Sequence, residues 1–226
     1  MNPPGSIAKP SLGRSAWSRA PLLVLLITTA LAGTAGVRAS DLKDSALLSA
    51  LRHGGCVILM RHASSPKRRP SAAAAAPGNS DLERQLDDDG LTAARAMGTA
   101  LKRLGIPIAE VLSSPTFRAR ETISAAGLPS PRIAEQLGDA GHSMSRPAVA
   151  GWSSWLRHTV ARPPSMGSNT LIVTQMPNIS AAYGRIASAL KEGGALIFRP
   201  DGHGNAQLLA TMQISDWPQL ASQFKR

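Results

Sequence analysis

The chain has 226 residues, 43% of them hydrophobic and 4% aromatic, with one cysteine and a formal net charge of +11. That length and apolar content suit one sizeable core and exclude general disorder, and a lone cysteine excludes an intramolecular disulfide. The charge favours anionic ligands, but so few aromatic side chains offer no platform for stacking bases, and nucleic acid is not an expected partner.

Residues 1–39 read as a cleavable export signal. Lys9, Arg14 and Arg19 precede an apolar run over 21–33, and Val37-Arg38-Ala39 stands before Ser40 as the cleavage site. The run falls short of the roughly 18 apolar residues a membrane span needs. A periplasmic or secreted location is therefore expected, with no stable membrane span after cleavage; an uncleaved anchor is the competing reading. Without the leader, 21 basic residues stand against 14 acidic, a net +7.

From Ser40 onward, helices and strands alternate. A helix over 41–52 stops at Gly54-Gly55, and the apolar run Cys56-Val57-Ile58-Leu59-Met60 reads as a buried strand with Cys56 in the core. Residues 66–80, with Lys67-Arg68-Arg69 and an alanine run from Ala72 to Ala76, read as a mobile surface loop, either solvated or gathering anions toward a nearby pocket. A helix over 90–104 follows, with Asp87-Asp88-Asp89 at its positive end. Next come strand 110–112, a helix over 115–126 with Pro115 in its first turn and Gly127 at its end, and strand 132–134. The remainder reads as helix 147–160, strand 170–173, helix 177–190, and strands 195–198 and 207–214. The pattern predicts a single three-layer α/β domain over 40–226, with a mostly parallel central sheet and helices on both faces.

Polar residues wait at three strand ends: Arg61-His62 after the first, Ser113-Ser114-Pro115-Thr116-Phe117-Arg118 after the second, and Gln175-Met176-Pro177-Asn178 after the fourth. Ligands of open α/β sheets bind beyond the carboxyl ends of the strands, so these groups can converge. Arg61 and Arg118 offer planar forks for the oxygens of a phosphoryl dianion, and a neutral His62 can attack phosphorus. Ser65 can bond the same anion or form the turn before Pro66. Asn178 is placed to face the anion or to cap a helix.

On these motifs the chain resembles the histidine phosphatase superfamily. Leu59-Met60-Arg61-His62-Ala63 is similar to its Arg-His-Gly signature with alanine for glycine, and Ser113 through Ala119 with Glu121-Thr122 is similar to its second-arginine motif. The resemblance implies that His62 is phosphorylated and then hydrolysed while Arg61 and Arg118 hold the phosphoryl oxygens; it implies no metal and no cofactor. The family's second histidine is replaced here by Gln175. A glutamine amide can donate to a phosphoryl oxygen but cannot carry charge, and loss of one such donor typically costs on the order of 10²–10³ in rate. For the leaving-group proton, Asp139 is the first candidate, Glu135 the second and His142 the third. His53, His158 and His203 lack metal-ligand spacing.

Two functions follow. One is hydrolysis of a phosphomonoester, from a small phosphorylated substrate or an envelope phosphate group, through a phosphohistidine on His62 and slowed by Gln175. The other is a non-catalytic phosphate-ligand-binding domain of the bacterial envelope.

Overall fold

Along strand β1 (Val57–Arg61), side chains alternate between two apolar layers. Ile58 and Met60 enter one core, and Val57 and Leu59 the other. The computed structural model describes residues 39–139 and 144–224. The leader expected over 1–39 lies outside them except for Ala39, and so does His142.

The other strands are β2 (Ile108–Ser113), β3 (Arg132–Ile133), β4 (Asn169–Thr174), β5 (Ala195–Pro200) and β6 (Ala206–Met212). They form one sheet in the order β3-β2-β4-β1-β5-β6. The first four strands of that order run parallel, whereas β5 is antiparallel to both β1 and β6. Among the described residues the α-helices are α1 (Ala39–His53), α2 (Asp88–Leu104), α3 (Phe117–Ala125), α4 (Arg146–Val160), α5 (Met176–Tyr183) and α6 (Asp216–Gln223). Leu48 and Leu51 of α1, Met97 and Leu104 of α2, Ile123 of α3 and Trp217 of α6 cover one face. Leu156 and Val160 of α4 and Ile179 of α5 cover the other. The fold is thus the expected single α/β domain with a mostly parallel sheet and helices on both faces.

Local chemistry explains several boundaries. Asp87 caps α2 by accepting a hydrogen bond from the Gly90 amide at 2.7 Å, and Gly105 ends it in the left-handed region at φ 69°. Two expectations need correction. Pro115 precedes α3 rather than opening it, because Thr116 is still extended and the helix starts at Phe117. The helix expected over 177–190 breaks at Gly184, whose φ of 56° is outside the helical range, and a short 3₁₀ turn over Gly184–Ala187 replaces its second half. Helix α6 follows the last strand read from the sequence, and its Pro218 sits in the first turn, where a missing N–H is tolerated.

The loop expected to be mobile is bound to its surroundings by side chains. Gln85 accepts from the Ala76 amide at 2.8 Å and donates to the Ala74 carbonyl at 3.0 Å, while Asn79 bonds the backbone of Glu83 in both directions. Lys67, Arg68 and Arg69 remain exposed on it. Among the described residues, no helix is long and apolar enough to cross a membrane.

Candidate active site

The sheet register brings three carboxyl ends side by side: Arg61 of β1 stands beside Thr174 of β4, and Ser113 of β2 beside Val173. Backbone bonds continue the pairing past the strands. The His62 amide donates to the Thr174 carbonyl at 3.1 Å, and the Ser114 amide to the Val173 carbonyl at 2.9 Å. Thr122 then bridges strand end and helix, its hydroxyl accepting from the Ala63 amide at 3.1 Å and donating to the Arg118 carbonyl at 2.8 Å. By these links His62, Arg118 and Gln175 share one pocket although 113 positions separate the first from the last.

His62 is buried, at 3% exposure. Its Nδ1 lies 2.7 Å from the Ala63 carbonyl oxygen. A carbonyl only accepts, so Nδ1 carries the proton and the lone pair of the neutral ring sits on Nε2. Burial pushes the His62 pKa down to about 4; the bond to Ala63 works against this, and the charges of Arg118, Arg61 and Arg84 add to it. At neutral pH the ring is uncharged and nucleophilic at Nε2.

Arg118 is also buried. Its Nε and Nη2 donate to Gln175 Oε1 at 3.0 and 2.7 Å, and Nη2 also reaches Asp139 Oδ2 at 3.0 Å. Among the described residues Nη1 has no partner. Arg61 donates from Nη2 to Glu192 Oε1 at 2.8 Å, while its Nε is buried without a hydrogen-bond partner. Such an orphaned N–H is costly unless an anion fills the pocket.

The role expected of Gln175 changes. Its Nε2 donates to Thr116 Oγ1 at 2.8 Å and Ser114 Oγ at 3.3 Å, so both amide hydrogens are engaged and none is left for a phosphoryl oxygen. Gln175 holds Arg118 by its carbonyl oxygen instead. Ser65 is likewise turned away: its hydroxyl donates to the Gln85 carbonyl at 2.7 Å. Asn178 donates to the Gly138 carbonyl at 2.6 Å and to Thr174 Oγ1 at 3.0 Å, and Thr174 Oγ1 donates to the Leu137 carbonyl at 2.8 Å. These bonds pin the 137–138 segment to β4 and set Asp139 at the pocket mouth, 54% exposed and paired with Arg118. Glu135 is exposed and forms no ion pair among the described residues. The two acids therefore separate by geometry, with Asp139 at the arginine and Glu135 on the outer surface.

Two residues at the site were not foreseen. Arg84 donates from Nε to the Pro66 carbonyl at 2.7 Å and from Nη2 to the Ser65 carbonyl at 2.9 Å. Burial first and Arg118 second hold its guanidinium below the ordinary value, with Glu192 and Asp139 opposing, so these charges occupy one neighbourhood. The other is Glu192, the acid paired with Arg61. Arg84 follows the low-complexity loop and Glu192 precedes β5, and neither lies beside a motif; only tertiary pairing reveals them.

Elsewhere, a cavity of about 830 Å³ lies between α1 and β6, lined by Asp44, Leu47, His53, Arg199 and Leu209 among others, and the His62 site contributes no residue to it. Cys56 is fully buried; burial raises its pKa, with Arg199 acting against that rise. Among the described residues, no group of three or more His, Cys, Asp or Glu side chains could hold a metal.

Residues 57–166 match the family model of the histidine phosphatase superfamily (branch 1). Among solved structures, the protein histidine phosphatase SixA complexed with tungstate is 21% identical, over 71% of this chain and 98% of its own, with a TM-score of 0.53. A phosphoserine phosphatase variant from Entamoeba histolytica, in complex with phosphoserine, is 14% identical over 70% of this chain and 97% of its own, with a TM-score of 0.49. No curated protein matches the chain. At 21% identity the likeness to SixA is one of fold.

Proposed function

We propose, from the match of residues 57–166 to the histidine phosphatase superfamily model and from the geometry of the site, that the protein hydrolyses phosphomonoesters with His62 as nucleophile. The observation that carries this reading is the neutral, buried imidazole, held through Nδ1 by the Ala63 carbonyl and flanked by arginines with free N–H groups. Nε2 attacks phosphorus, the ester P–O bond breaks, and Asp139, in its protonated form and released from Arg118 when the phosphoryl group takes that arginine, supplies the proton that the leaving oxygen takes. Water then attacks the phosphorus of the phosphohistidine and gives a proton back to Asp139, the P–Nε2 bond breaks with its electron pair returning to the ring, and inorganic phosphate is released. Arg61, Arg84 and Arg118 stabilise the equatorial oxygens throughout.

Turnover is slow in this proposal. The position of the family's second histidine holds Gln175, whose amide hydrogens are engaged by Thr116 and Ser114, so one transition-state donor is missing. The substrate is a small phosphorylated molecule or a phosphate group of the cell envelope, met after export and cleavage following Ala39. An N-terminus at Ser40 in protein from the periplasmic fraction is the expected result; an intact leader there would end the export proposal.

The test of the activity is hydrolysis of para-nitrophenyl phosphate by the purified protein and by His62→Ala. Slow release in the first and none in the second is expected. Equal rates would remove His62 from the mechanism. Thermal stabilisation by inorganic phosphate with no turnover would favour the second reading, a phosphate-binding domain that has lost its chemistry, which the saturated Gln175 amide also supports.

A further inference from the structure

Because β5 runs antiparallel to β1, with Ala195 opposite Met60, the turn that enters β5 lies beside the residues that leave β1. Two backbone bonds fasten it there. The Gly193 amide donates to the His62 carbonyl at 2.8 Å, and the Arg61 amide donates to the Gly194 carbonyl at 2.9 Å. The turn is also closed on its far side. A Cβ on Gly193, at φ 76°, would lie 2.7 Å from Ile214 Cβ, and one on Gly194 would lie 3.0 Å from Gln213 Oε1. The Lys191 amide donates to Gln213 Oε1 at 3.3 Å, and the Gly194 amide to the Lys191 carbonyl at 3.0 Å. Two glycines without side chains thus wedge a short turn between β1 and the 213–214 segment, and the residue it carries is Glu192.

Glu192 Oε1 accepts from Arg61 Nη2 at 2.8 Å, with both side chains largely withdrawn from water at 29% and 23% exposure. The bond takes one corner of the guanidinium and leaves the buried Nε unpartnered. An arginine side chain has four rotatable bonds, and holding its fork at a fixed place is what lets it act without reorganisation. We propose that Glu192 is the positioning residue of Arg61. It anchors the fork by Nη2 so that the remaining N–H groups meet the phosphoryl oxygens, as Gln175 and Asp139 do for Arg118. The proposal rests on the reading above that Arg61 binds the phosphoryl group. A carboxylate this close also repels a dianion, so the opposite effect, competition for Arg61, is the alternative the experiment must separate.

The test is a double-mutant cycle between Glu192→Ala and Arg61→Ala, read in kcat and KM for para-nitrophenyl phosphate and in Kd for inorganic phosphate. Glu192→Ala alone is expected to lower kcat by about 10-fold to 100-fold, the scale of loss from a misplaced catalytic group, with Tm little changed. In the Arg61→Ala background the same change is expected to add less than about 2-fold, because coupled residues do not add. Glu192→Gln, whose amide oxygen still accepts from Nη2, is expected to fall between the unmodified protein and Glu192→Ala. Additive losses, an increase in activity or phosphate affinity in Glu192→Ala, or Glu192→Gln as impaired as Glu192→Ala would each overturn the assignment. Should Arg61→Ala fail to fold, Arg61→Lys closes the cycle, since it keeps the charge and lacks the fork. If the unmodified protein binds phosphate without turnover, the activity reading fails while the Kd cycle still decides the role of Glu192.

Discussion

Gln175 Oε1 sits between two N–H groups of Arg118, 3.0 Å from Nε and 2.7 Å from Nη2, and so fixes the plane of the guanidinium. A residue that a sequence reading treats as a weakened donor to the substrate is a strong acceptor for the arginine beside it. A histidine at this position would gain a cationic donor and lose part of that clamp. Restoring one transition-state donor is worth on the order of 10²–10³ in rate, so Gln175→His is expected to raise kcat for para-nitrophenyl phosphate by about 10-fold or more. Gln175→Ala, which only loses the clamp, should weaken inorganic phosphate binding. An unchanged kcat in Gln175→His would mean that the pocket no longer accommodates the second imidazole.

Asp139 is the acid at the pocket mouth, and its contribution should depend on the leaving group. A nitrophenolate departs without help, whereas an alkoxide needs a proton in the transition state, for which a positioned acid is worth about 10²–10⁴. Asp139→Asn should therefore lower kcat/KM strongly for an alkyl phosphate and weakly for para-nitrophenyl phosphate, and Glu135→Gln should alter neither. Equal losses on both substrates would assign Asp139 to holding Arg118 alone.

His62 titrates near 4 in the fold against about 6.5 in an unfolded chain. Between these values the unfolded state binds more protons, so stability rises with pH through the window, is complete above about 6.5 and is lost as the pH falls toward 4. The difference corresponds to about 3 kcal/mol at most. Urea midpoints measured from pH 4 to pH 7 should show this slope in the unmodified protein and a shallower one in His62→Asn; parallel curves would contradict a ring buried in its neutral form. The acid limb of kcat/KM, which reports the free enzyme, is expected near pH 4 rather than 6.5.

Gly90, in the first turn of α2, faces the Ser64 backbone. A Cβ there would collide with the Ser64 carbonyl oxygen and lie 3.1 Å from the Ser64 carbonyl carbon and amide nitrogen. Gly90→Ala is expected to cost about 1–3 kcal/mol by overpacking and, because the displaced Ser64 stands two residues after His62, to lower activity as well. Gly151, in α4, has open space around it, and Gly151→Ala should be neutral or stabilising by up to about 1 kcal/mol. Denaturant midpoints of the pair check the contrast; a harmless Gly90→Ala would mean that α2 can shift away from the loop after β1.

Wherever local pattern decides structure, the sequence was readable. The apolar runs of β1 and β4 announce strands buried on both faces, the periodicity of 90–104 announces α2, and the residues after β1, β2 and β4 announce a pocket because parallel neighbours align their carboxyl ends. Legibility stopped where pairing across the chain decides the outcome. Glu192 approaches Arg61 only because β5 is antiparallel, and strand direction leaves no trace in composition. Arg84 is drawn in because Asp87 and Gln85 bond Ser64 and Ser65 and fold the loop back on its origin. Position alone singles out Gln175 but not its role, since its hydrogen-bond partners come from the segment between β2 and α3 (Ser114, Thr116) and from α3 (Arg118).

The bond between Arg61 and Glu192 spans 131 positions of the chain. Contacts between residues so far apart in sequence carry a large loop-closure entropy cost. A nascent polypeptide emerging from its amino end therefore carries the imidazole long before it carries the turn that completes the cup, and it cannot assemble the reactive centre until synthesis is nearly finished. Premature termination anywhere between residues 62 and 192 leaves a fragment with His62 but without its Glu192-bearing turn.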